Sequence, residues 1–578
     1  MSIAASILND VLEGVSPARL QRHLEWFATV RRDTGGVGED AACSYIRDQL
    51  WTAGVPVLVH QFESFLSYPI SASLDADGVS HSCVTHSFGT STGAGGVCAG
   101  LVHVDGAHLH QAAGQIALVD GLAMPVTILR ASRAGCAGLV FANDDRMLHN
   151  MIGTTIWGTP GLDQLDRLPS IPVVSVNRDS GVALKAAIAR GAAPATVTAK
   201  VNTGWFRSLL PEVRIPGATD PDTFILLGGH YCAWDVGVTD NATGDACLLE
   251  AARVLWQHRA RLGRGVRICW WPGHSHGRYS GSTWYADTFF TDLSQHCVAY
   301  QNVDSPGVRN ATWYVGRHTC SELEGFCASV IEDVTGQANA PMHRPARAAD
   351  QSFLANGVPS FSAYPFLPEA HADRRPWTGG SANAWWWHTV DDTLDKADVE
   401  ILAKDTRLAV TAMMQLANVP LLPIDYVSTG REFESVLQQL HEKASDAFDL
   451  QPAIAQARRF IGLAVRLNAA RTGVTTDTAR SRFNALLLRL GRVLNPAMYS
   501  VSGRFHHDPA EWTPMLRTKT DYRLSGLARV AALQELEGRP EQAFLRAQLV
   551  RERNRVVTAL LDASALIEGS GFVDSLNP

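Results

Sequence analysis

The fold is decided by FILLGGHYCAWDVGVTDNATG (residues 224–244), followed by RICWWPGHSHGRYSGSTWYAD (267–287) and CVAYQNVDS (297–305). Each stretch contains a short apolar run, and a helical pattern at residues 246–259 separates the first two. Apolar runs of this length that alternate with helices are typical of buried parallel strands. The sequence therefore predicts an α/β domain with its parallel strands in this region.

Each of these apolar runs ends near a residue type that binds metals. His230 follows the first run, His274 and His276 follow the second, Asp304 follows the third, and Asp240 lies in the loop after His230. Ligands collect at the carboxyl ends of parallel strands. Imidazole and carboxylate groups close together bind zinc-class ions, and a shared carboxylate can hold two of them. The pattern therefore predicts a metal site.

Composition limits the remaining classes of function. The chain has 578 residues, which predicts two to four domains, and its 46% hydrophobic and 19% charged residues are typical of globular proteins. The net charge of −7 and the lack of basic blocks argue against nucleic acid and membrane surfaces as partners. We expect no signal peptide and no membrane span. Ten cysteines without a CxxC pair indicate a reducing compartment, so we expect a cytoplasmic protein.

Changes of pattern along the chain predict four regions. Residues 1–66 show helical spacing and then an extended segment, and residues 67–203 are rich in glycine and short Val/Ile/Leu runs that predict an inserted β-rich unit. The strand-and-helix pattern resumes over residues 204–424. Residues 425–578 carry apolar stripes at helical spacing, which predict a helical bundle used for packing or dimerisation.

Four segments resemble, in the same order, those of the co-catalytic zinc aminopeptidases, in the branch of glutamate carboxypeptidase and the transferrin receptor. They are GGHYCAWDVGVTDNATG (228–244), WWPGHSHGRYSGSTWYAD (270–287), YQNVDS (300–305) and WWWHTVDDTLDKAD (385–398). QFESFLSYP (61–69) resembles the beginning of that family's inserted protease-associated domain, and the helical tail is similar to its dimerisation domain. The resemblance implies a mixed, mostly parallel sheet flanked by helices, a β-rich insertion, a C-terminal helical bundle and a homodimer formed through that bundle.

The resemblance also implies a ligand set. His230 and Asp304 would hold one metal, Asp240 would bridge two, and His388 would hold the second. The implied cofactor is a divalent metal, zinc first, with one or two ions per chain and with manganese or iron as alternatives.

One loop departs from the family pattern. The family's acidic pair supplies a general base and a ligand of the second metal, and here those positions are His274 and Ser275, or Ser275 and His276, depending on how the loop is matched. Spacing of two places His274 and His276 on one side of an extended segment, so one could replace the lost ligand while the other acts as a base. The Asp that orients the family's first His is here Cys232.

Other residues are weaker candidates. Trp387 precedes His388 and could form an aromatic wall for the substrate, and Asp350 lies in a segment like one that contributes to the family's pocket. We expect both to bind substrate. His318, His343 and His371 are interpreted as loop or surface histidines.

These observations favour a metal-dependent hydrolase that cleaves an amide or peptide-like bond of a small molecule or short peptide. A metal-activated water would attack, and His274 would take the place of the usual Glu base. Two alternatives remain open: a non-hydrolytic enzyme such as a decarboxylase or lyase on the same scaffold, and a non-catalytic binding protein of the transferrin receptor type.

Overall fold

The computed structural model describes residues 5–191, 194–510 and 522–573. Residues 1–4, which the signal-peptide prediction includes, and residues 511–521, inside the predicted helical tail, lie outside the described residues. The helices are α1 (Ala5–Glu13), α2 (Pro17–Phe27), α3 (Val37–Thr52), α4 (Pro125–Arg133), α5 (Arg178–Ala189), α6 (Thr243–Gln257), α7 (Ser280–Thr288), α8 (Phe290–His296), α9 (Glu324–Thr335), α10 (Val399–Asn418), α11 (Tyr426–Ala444), α12 (Gln451–Ala470), α13 (Asp477–Tyr499), α14 (Ala532–Glu535) and α15 (Pro540–Glu568).

The strands form one large sheet and two smaller ones. They are β1 (Leu58–Ala76), β2 (Val79–His81), β3 (Cys83–Thr85), β4 (Val97–Ala99), β5 (Leu101–His103), β6 (Ile116–Asp120), β7 (Gly138–Ala142), β8 (Val173–Val176), β9 (Ala195–Ile215), β10 (Asp220–His230), β11 (Arg264–Trp271), β12 (Cys297–Asn302), β13 (Trp313–Gly316), β14 (Ser360–Phe361) and β15 (Ala363–Phe366).

The large sheet is mixed and places the three predicted strands at its centre. Its order is β14-β12-β10-β11-β9-β1-β2, and β4 pairs with β9. The strands β14, β12, β10 and β11 are parallel to one another, whereas β9, β1 and β2 join as antiparallel neighbours. Every residue from Phe224 to His230 is buried, because β10 lies between β11 and β12 and helices cover the sheet. The mixed α/β fold class is confirmed.

Two long strands connect the large sheet to the inserted region. β1 and β9 pair from Leu58↔Glu212 to Asp75↔Thr196, so the proposed domain limits at residues 67 and 203 fall inside continuous strands. Between them the chain forms a second sheet of order β3-β8-β7-β6-β5, with α4 and α5 in the connections. The predicted β-rich insertion is therefore anchored by two strands of the large sheet.

The C-terminal region is helical, with α11, α12, α13 and α15 packed side by side. Between α13 and α15, a 3₁₀ helix (Ser525–Ala531) is followed by the short α14. None of the helices among the described residues is long and apolar enough to cross a membrane. All ten cysteines lie in the described ranges and none is in a disulfide.

Candidate metal centre

Three predicted ligands meet at the carboxyl ends of β10 and β12. His230 is the last residue of β10, Asp240 lies in the irregular turn before α6, and Asp304 is two residues beyond β12. His230 Nε2 lies 3.0 Å from Asp240 Oδ1 and 3.8 Å from Asp304 Oδ1. One ligand atom from each residue lies within 4.8 Å of the others, which suits a single ion. Among the described residues this is the one such group of His, Cys, Asp and Glu.

Asn241 connects the three ligand-bearing segments. Its Nδ2 donates to the carbonyls of His230 (3.1 Å) and Val303 (3.0 Å), and its Oδ1 accepts from the Ser305 amide (2.9 Å). These bonds hold the ends of β10 and β12 against the turn that carries Asp240. No feature of the sequence predicted this role, because an Asn after an Asp is ordinary turn composition.

A buried carboxylate holds the turn that contains Asp240. Asp392 accepts from the backbone amides of Thr239 (2.9 Å) and Asp240 (3.0 Å) and from the Thr239 hydroxyl (2.7 Å). Burial raises the pKa of Asp392 to about 7, against the opposing effect of these hydrogen bonds. Asp392 therefore fixes the loop that carries Asp240.

The hydrogen bonds of His230 prepare its Nε2 to bind a cation. Its Nδ1 lies 2.8 Å from the carbonyl of Cys232, which can only accept, so Nδ1 carries the hydrogen and Nε2 faces the carboxylates. The Cys232 carbonyl thus orients the His230 ring, which is the role of an Asp side chain in the related family. Burial opposes protonation of His230, but Asp240 and Asp304 outweigh it and raise its pKa well above the usual value. The site therefore attracts positive charge, and the donor set fits a divalent ion.

The pKa of Asp240 shows the same balance. Burial disfavours its charged form, yet the hydrogen bonds from His230 and His388 hold its pKa well below the usual value. Asp240 is therefore a carboxylate in a nearly dry site, with Oδ1 beside His230 and Oδ2 beside His388. A buried carboxylate in this position needs cationic partners on both sides.

His388 lies beside the cluster but outside it. Its Nε2 is 3.2 Å from Asp240 Oδ2, and its Nδ1 donates to the carbonyl of Asn150 at 2.7 Å. Trp387 stacks on its ring, with centroids 3.7 Å apart, and lines the adjoining cavity as expected of an aromatic wall. Trp387 also packs into the apolar core of the inserted region, so the insertion and the metal centre share this side chain.

His274 lies next to the three ligands and pairs with the carboxylate of Asp350. Its ring stacks on that of His230, with centroids 3.8 Å apart, and its Nδ1 lies 2.8 Å from Asp350 Oδ2. Asp350 Oδ1 accepts from the Ser282 hydroxyl at 2.8 Å, and the carboxylate is fully buried. Asp350 was expected to bind substrate. It lies beneath His274 instead, where it orients the ring and does not reach the cavity wall.

His276 does not join the centre. Its Nε2 lies 3.4 Å from Asp33 Oδ1, its ring packs against Tyr68 and Trp234, and it lines a different cavity. The prediction assumed an extended segment, in which residues two apart share a face. Residues 272–279 instead form tight turns, with the Gly277 amide donating to the Gly273 carbonyl at 3.1 Å. The expected catalytic role of His276 therefore has no support in its position.

The centre opens into a cavity. Asp240, Asp304, His274 and His388 are on its wall. The inserted region contributes further lining residues: Pro125, Met151 and Ile152.

Two buried arginines on this cavity wall were not foreseen. The hydrogen bonds of Arg278 go to the carbonyls of Ile152 and Thr154, and Arg317 donates to the carbonyl of Gly379. Burial lowers the pKa of both guanidiniums, but arginine stays charged near neutral pH. Within the described ranges no carboxylate forms an ion pair with either one, so each guanidinium places a positive charge on this wall.

His318, interpreted from the sequence as a surface histidine, is buried on the same wall. Its Nδ1 accepts from the amide of Ala346 at 3.2 Å, so its Nε2 carries the hydrogen. Burial lowers the pKa of His318 well below its usual value, and neighbouring Arg317 adds to this. His318 is therefore a neutral hydrogen-bond donor beside the centre.

Residues 213–413 match the model of peptidase family M28. The predicted resemblance to the zinc aminopeptidases and glutamate carboxypeptidases is thus confirmed.

Relatives of this chain are similar over part of their length. The probable glutamate carboxypeptidase VP8 of Zea mays is 26% identical over 262 residues, which cover 40% of this chain and 34% of that protein. The aminopeptidase NAALADL1 of Mus musculus is 35% identical over 106 residues, or 17% of this chain and 14% of that protein. The match thus spans about a third or less of the length of these relatives.

A solved structure supports the fold. The peptidase M28 precursor from Shewanella amazonensis superposes with a TM-score of 0.57 at 19% identity, and the match covers 72% of this chain and 98% of that one. At this identity the similarity concerns the fold, so the chemistry has to be argued from the residues present.

Proposed function

We propose that this protein is a metal-dependent hydrolase that cleaves an amide or peptide-like bond in a small substrate. The observation that carries the proposal is the cluster of His230, Asp240 and Asp304 at the strand ends, beside His274 and open to a cavity. A divalent ion bound there, zinc in the first place, would supply Lewis acidity toward a water molecule and the scissile carbonyl.

His274 acts as the general base in this scheme. Since Nδ1 donates its hydrogen to Asp350, the free lone pair is on Nε2, on the side of the ring that is not bound to the carboxylate. His274 accepts a proton from the attacking water and returns it to the leaving amine nitrogen, as an oriented histidine does in other hydrolases. Asp350 keeps the ring in the required tautomer and stabilises the imidazolium after proton transfer.

The cavity wall supports a substrate with an anionic group. Arg278 and Arg317 supply buried positive charge, and His318 Nε2 offers a neutral donor within the same cavity. A carboxylate held by a guanidinium forms strong charge-assisted hydrogen bonds. Trp387 provides an apolar surface next to them, so a short peptide-like compound with a carboxylate and an apolar side chain fits this wall.

Product analysis on the purified, metal-loaded protein tests the proposal. We expect turnover of N-acyl amino acids or dipeptides, with solvent ¹⁸O in the new carboxylate. His274→Gln is expected to lower kcat about 100-fold or more, as for loss of a general base, while the matched variant His276→Gln stays within about threefold because that ring lies in the other cavity. Equal rates in wild type and His274→Gln would refute the assignment. Product without solvent oxygen would favour a lyase or decarboxylase.

The assembly is a separate part of the proposal. The resemblance implies a homodimer through the C-terminal helices α11–α15, and light scattering of the full chain measures it directly. A monomer at micromolar concentration would contradict this expectation.

A further inference from the structure

We propose that the centre holds one divalent ion tightly, on His230, Asp240 and Asp304, and that the pair of His388 and Asp240 does not hold a second. The inference rests on the metal site of the proposed function, but it concerns the number of ions and not the reaction. It departs from the two-ion arrangement that the resemblance implies.

The position of the single ion, between His230, Asp240 and Asp304, has a complete ligand set. Zinc sites with catalytic roles use three protein ligands and leave one position open. His230, Asp240 and Asp304 provide one imidazole and two carboxylates, and the buried His230 Nε2 faces Asp240 Oδ1 at 3.0 Å and Asp304 Oδ1 at 3.8 Å. The Cys232 carbonyl fixes the ring, and Asn241 fixes both flanking segments. This position is therefore organised before an ion arrives.

The position of a second ion, between His388 and Asp240, has two protein ligands and lacks a third. His388 Nε2 and Asp240 Oδ2 face each other at 3.2 Å, but no further His, Cys, Asp or Glu in the described part of the chain completes a group with them. In one match of the loop the family's second-metal ligand falls on Ser275, whose neutral hydroxyl is a poor ligand for zinc. In the other match it falls on His276, which lines a different cavity. Ser275 is also buried, and its carbonyl accepts from the Ser87 hydroxyl.

His274 does not fill the vacant role. Its Nδ1 is committed to Asp350 at 2.8 Å, and its ring lies face to face with His230 and outside the ligand group. Stacking presents a ring face to the ligand beside it, whereas a metal lies in the plane of a ligating imidazole. The loop at residues 272–279 therefore contains an oriented base, His274, where the related family has acidic residues. It contains no ligand for a second ion.

Counting ions in variants tests this inference independently of turnover. The full-length protein is loaded with excess zinc, dialysed against micromolar zinc and measured by elemental analysis, with Asp304→Asn and His388→Gln treated in parallel. We expect one ion per chain in wild type, less than about 0.2 in Asp304→Asn, and one in His388→Gln. Circular dichroism shows whether each variant is folded, and titration of the apoprotein with Mn²⁺ followed by electron paramagnetic resonance reports whether ions are isolated or coupled.

Each result decides the question. Two ions in wild type, falling to one in His388→Gln, would overturn the inference, as would a coupled two-manganese spectrum. An ion-free His388→Gln variant would overturn the three-residue ligand set, and an ion-free wild type would overturn the site itself. One ion without hydrolysis of any substrate would leave the inference standing and refute the proposed function. Two ions per chain together with hydrolysis would overturn the inference and leave the proposed function standing.

Discussion

Replacing Asp350 by Asn tests the pairing that distinguishes this centre from its relatives. The carboxylate is fully buried and makes two hydrogen bonds of 2.8 Å, with His274 Nδ1 and the Ser282 hydroxyl. An amide of the same size can turn its NH₂ group toward Nδ1, which would place the hydrogen on Nε2 and leave no lone pair for the proton of water. Asp350 does not line the cavity, so substrate binding should change little.

The expected size follows from the hydrogen bond that is lost. A hydrogen bond to a charged group contributes about 1.5–3 kcal/mol, and about 1.4 kcal/mol corresponds to a factor of ten in rate. Asp350→Asn should therefore lower kcat by about 10- to 100-fold, with KM within about threefold. The metal content should stay that of wild type, because Asp350 touches none of the three ligands.

The assay is steady-state kinetics on the best substrate, with metal content and melting temperature measured in the same samples. Asp33→Asn is the matched control, since it makes the same change beside the other histidine of the loop, His276. The double variant His274→Gln/Asp350→Asn should be no slower than His274→Gln alone, because Asp350 acts through that ring. Additive losses, or an unchanged kcat in Asp350→Asn, would refute the positioning role.

Two further predictions concern the substrate and stability against acid. Arg317→Gln should raise KM about tenfold or more for substrates with a carboxylate and leave their amide analogues unchanged; equal effects on both would exclude Arg317 from anion binding. Burial opposes the charge of Glu212, but His60 and Arg214 outweigh it and lower its pKa from 4.5 to about 2. Because its pKa is lowered, the ionised Glu212 adds about 3 kcal/mol to the free energy of unfolding. This contribution is present above pH 4.5 and is lost as the pH falls toward 2. Glu212→Gln should remove this contribution. Urea unfolding at pH 7 and pH 3 should then show a smaller change in the free energy of unfolding for the variant than for wild type.

Much of the centre could be predicted because its position follows from sheet geometry. Apolar runs ending in His230 and Asp304 specify parallel strands, and neighbouring parallel strands bring their carboxyl ends together. The positions of His230 and Asp304 therefore required only the recognition of strands and the residue type at each end, whereas the ligand set came from the family resemblance. The strand pattern predicted an α/β domain with parallel strands, and the resemblance implied the mixed sheet.

The residues that the sequence did not assign correctly depend on loops. His276 shares a face with His274 only if the loop is extended, and residues 272–279 are tight turns. Asp350 pairs with a side chain 76 residues away, and no local spacing encodes that contact. The cavity roles of Arg317 and His318 follow from a turn in which His318 has a φ of 51°, which spacing along the chain does not reveal.

The pairing of His274 with Asp350 argues that this loop has been adapted rather than lost. A Glu at position 274, as in the related family, would place its carboxylate close to Asp350 in a buried site, and two like charges at such a distance cannot both be ionised without a large cost. A histidine turns the same neighbour into a favourable partner and leaves Nε2 available as a proton acceptor. The pair also satisfies a fully buried carboxylate that would otherwise destabilise the fold. In the proposed mechanism, His274 and Asp350 therefore act as one unit next to a one-ion centre.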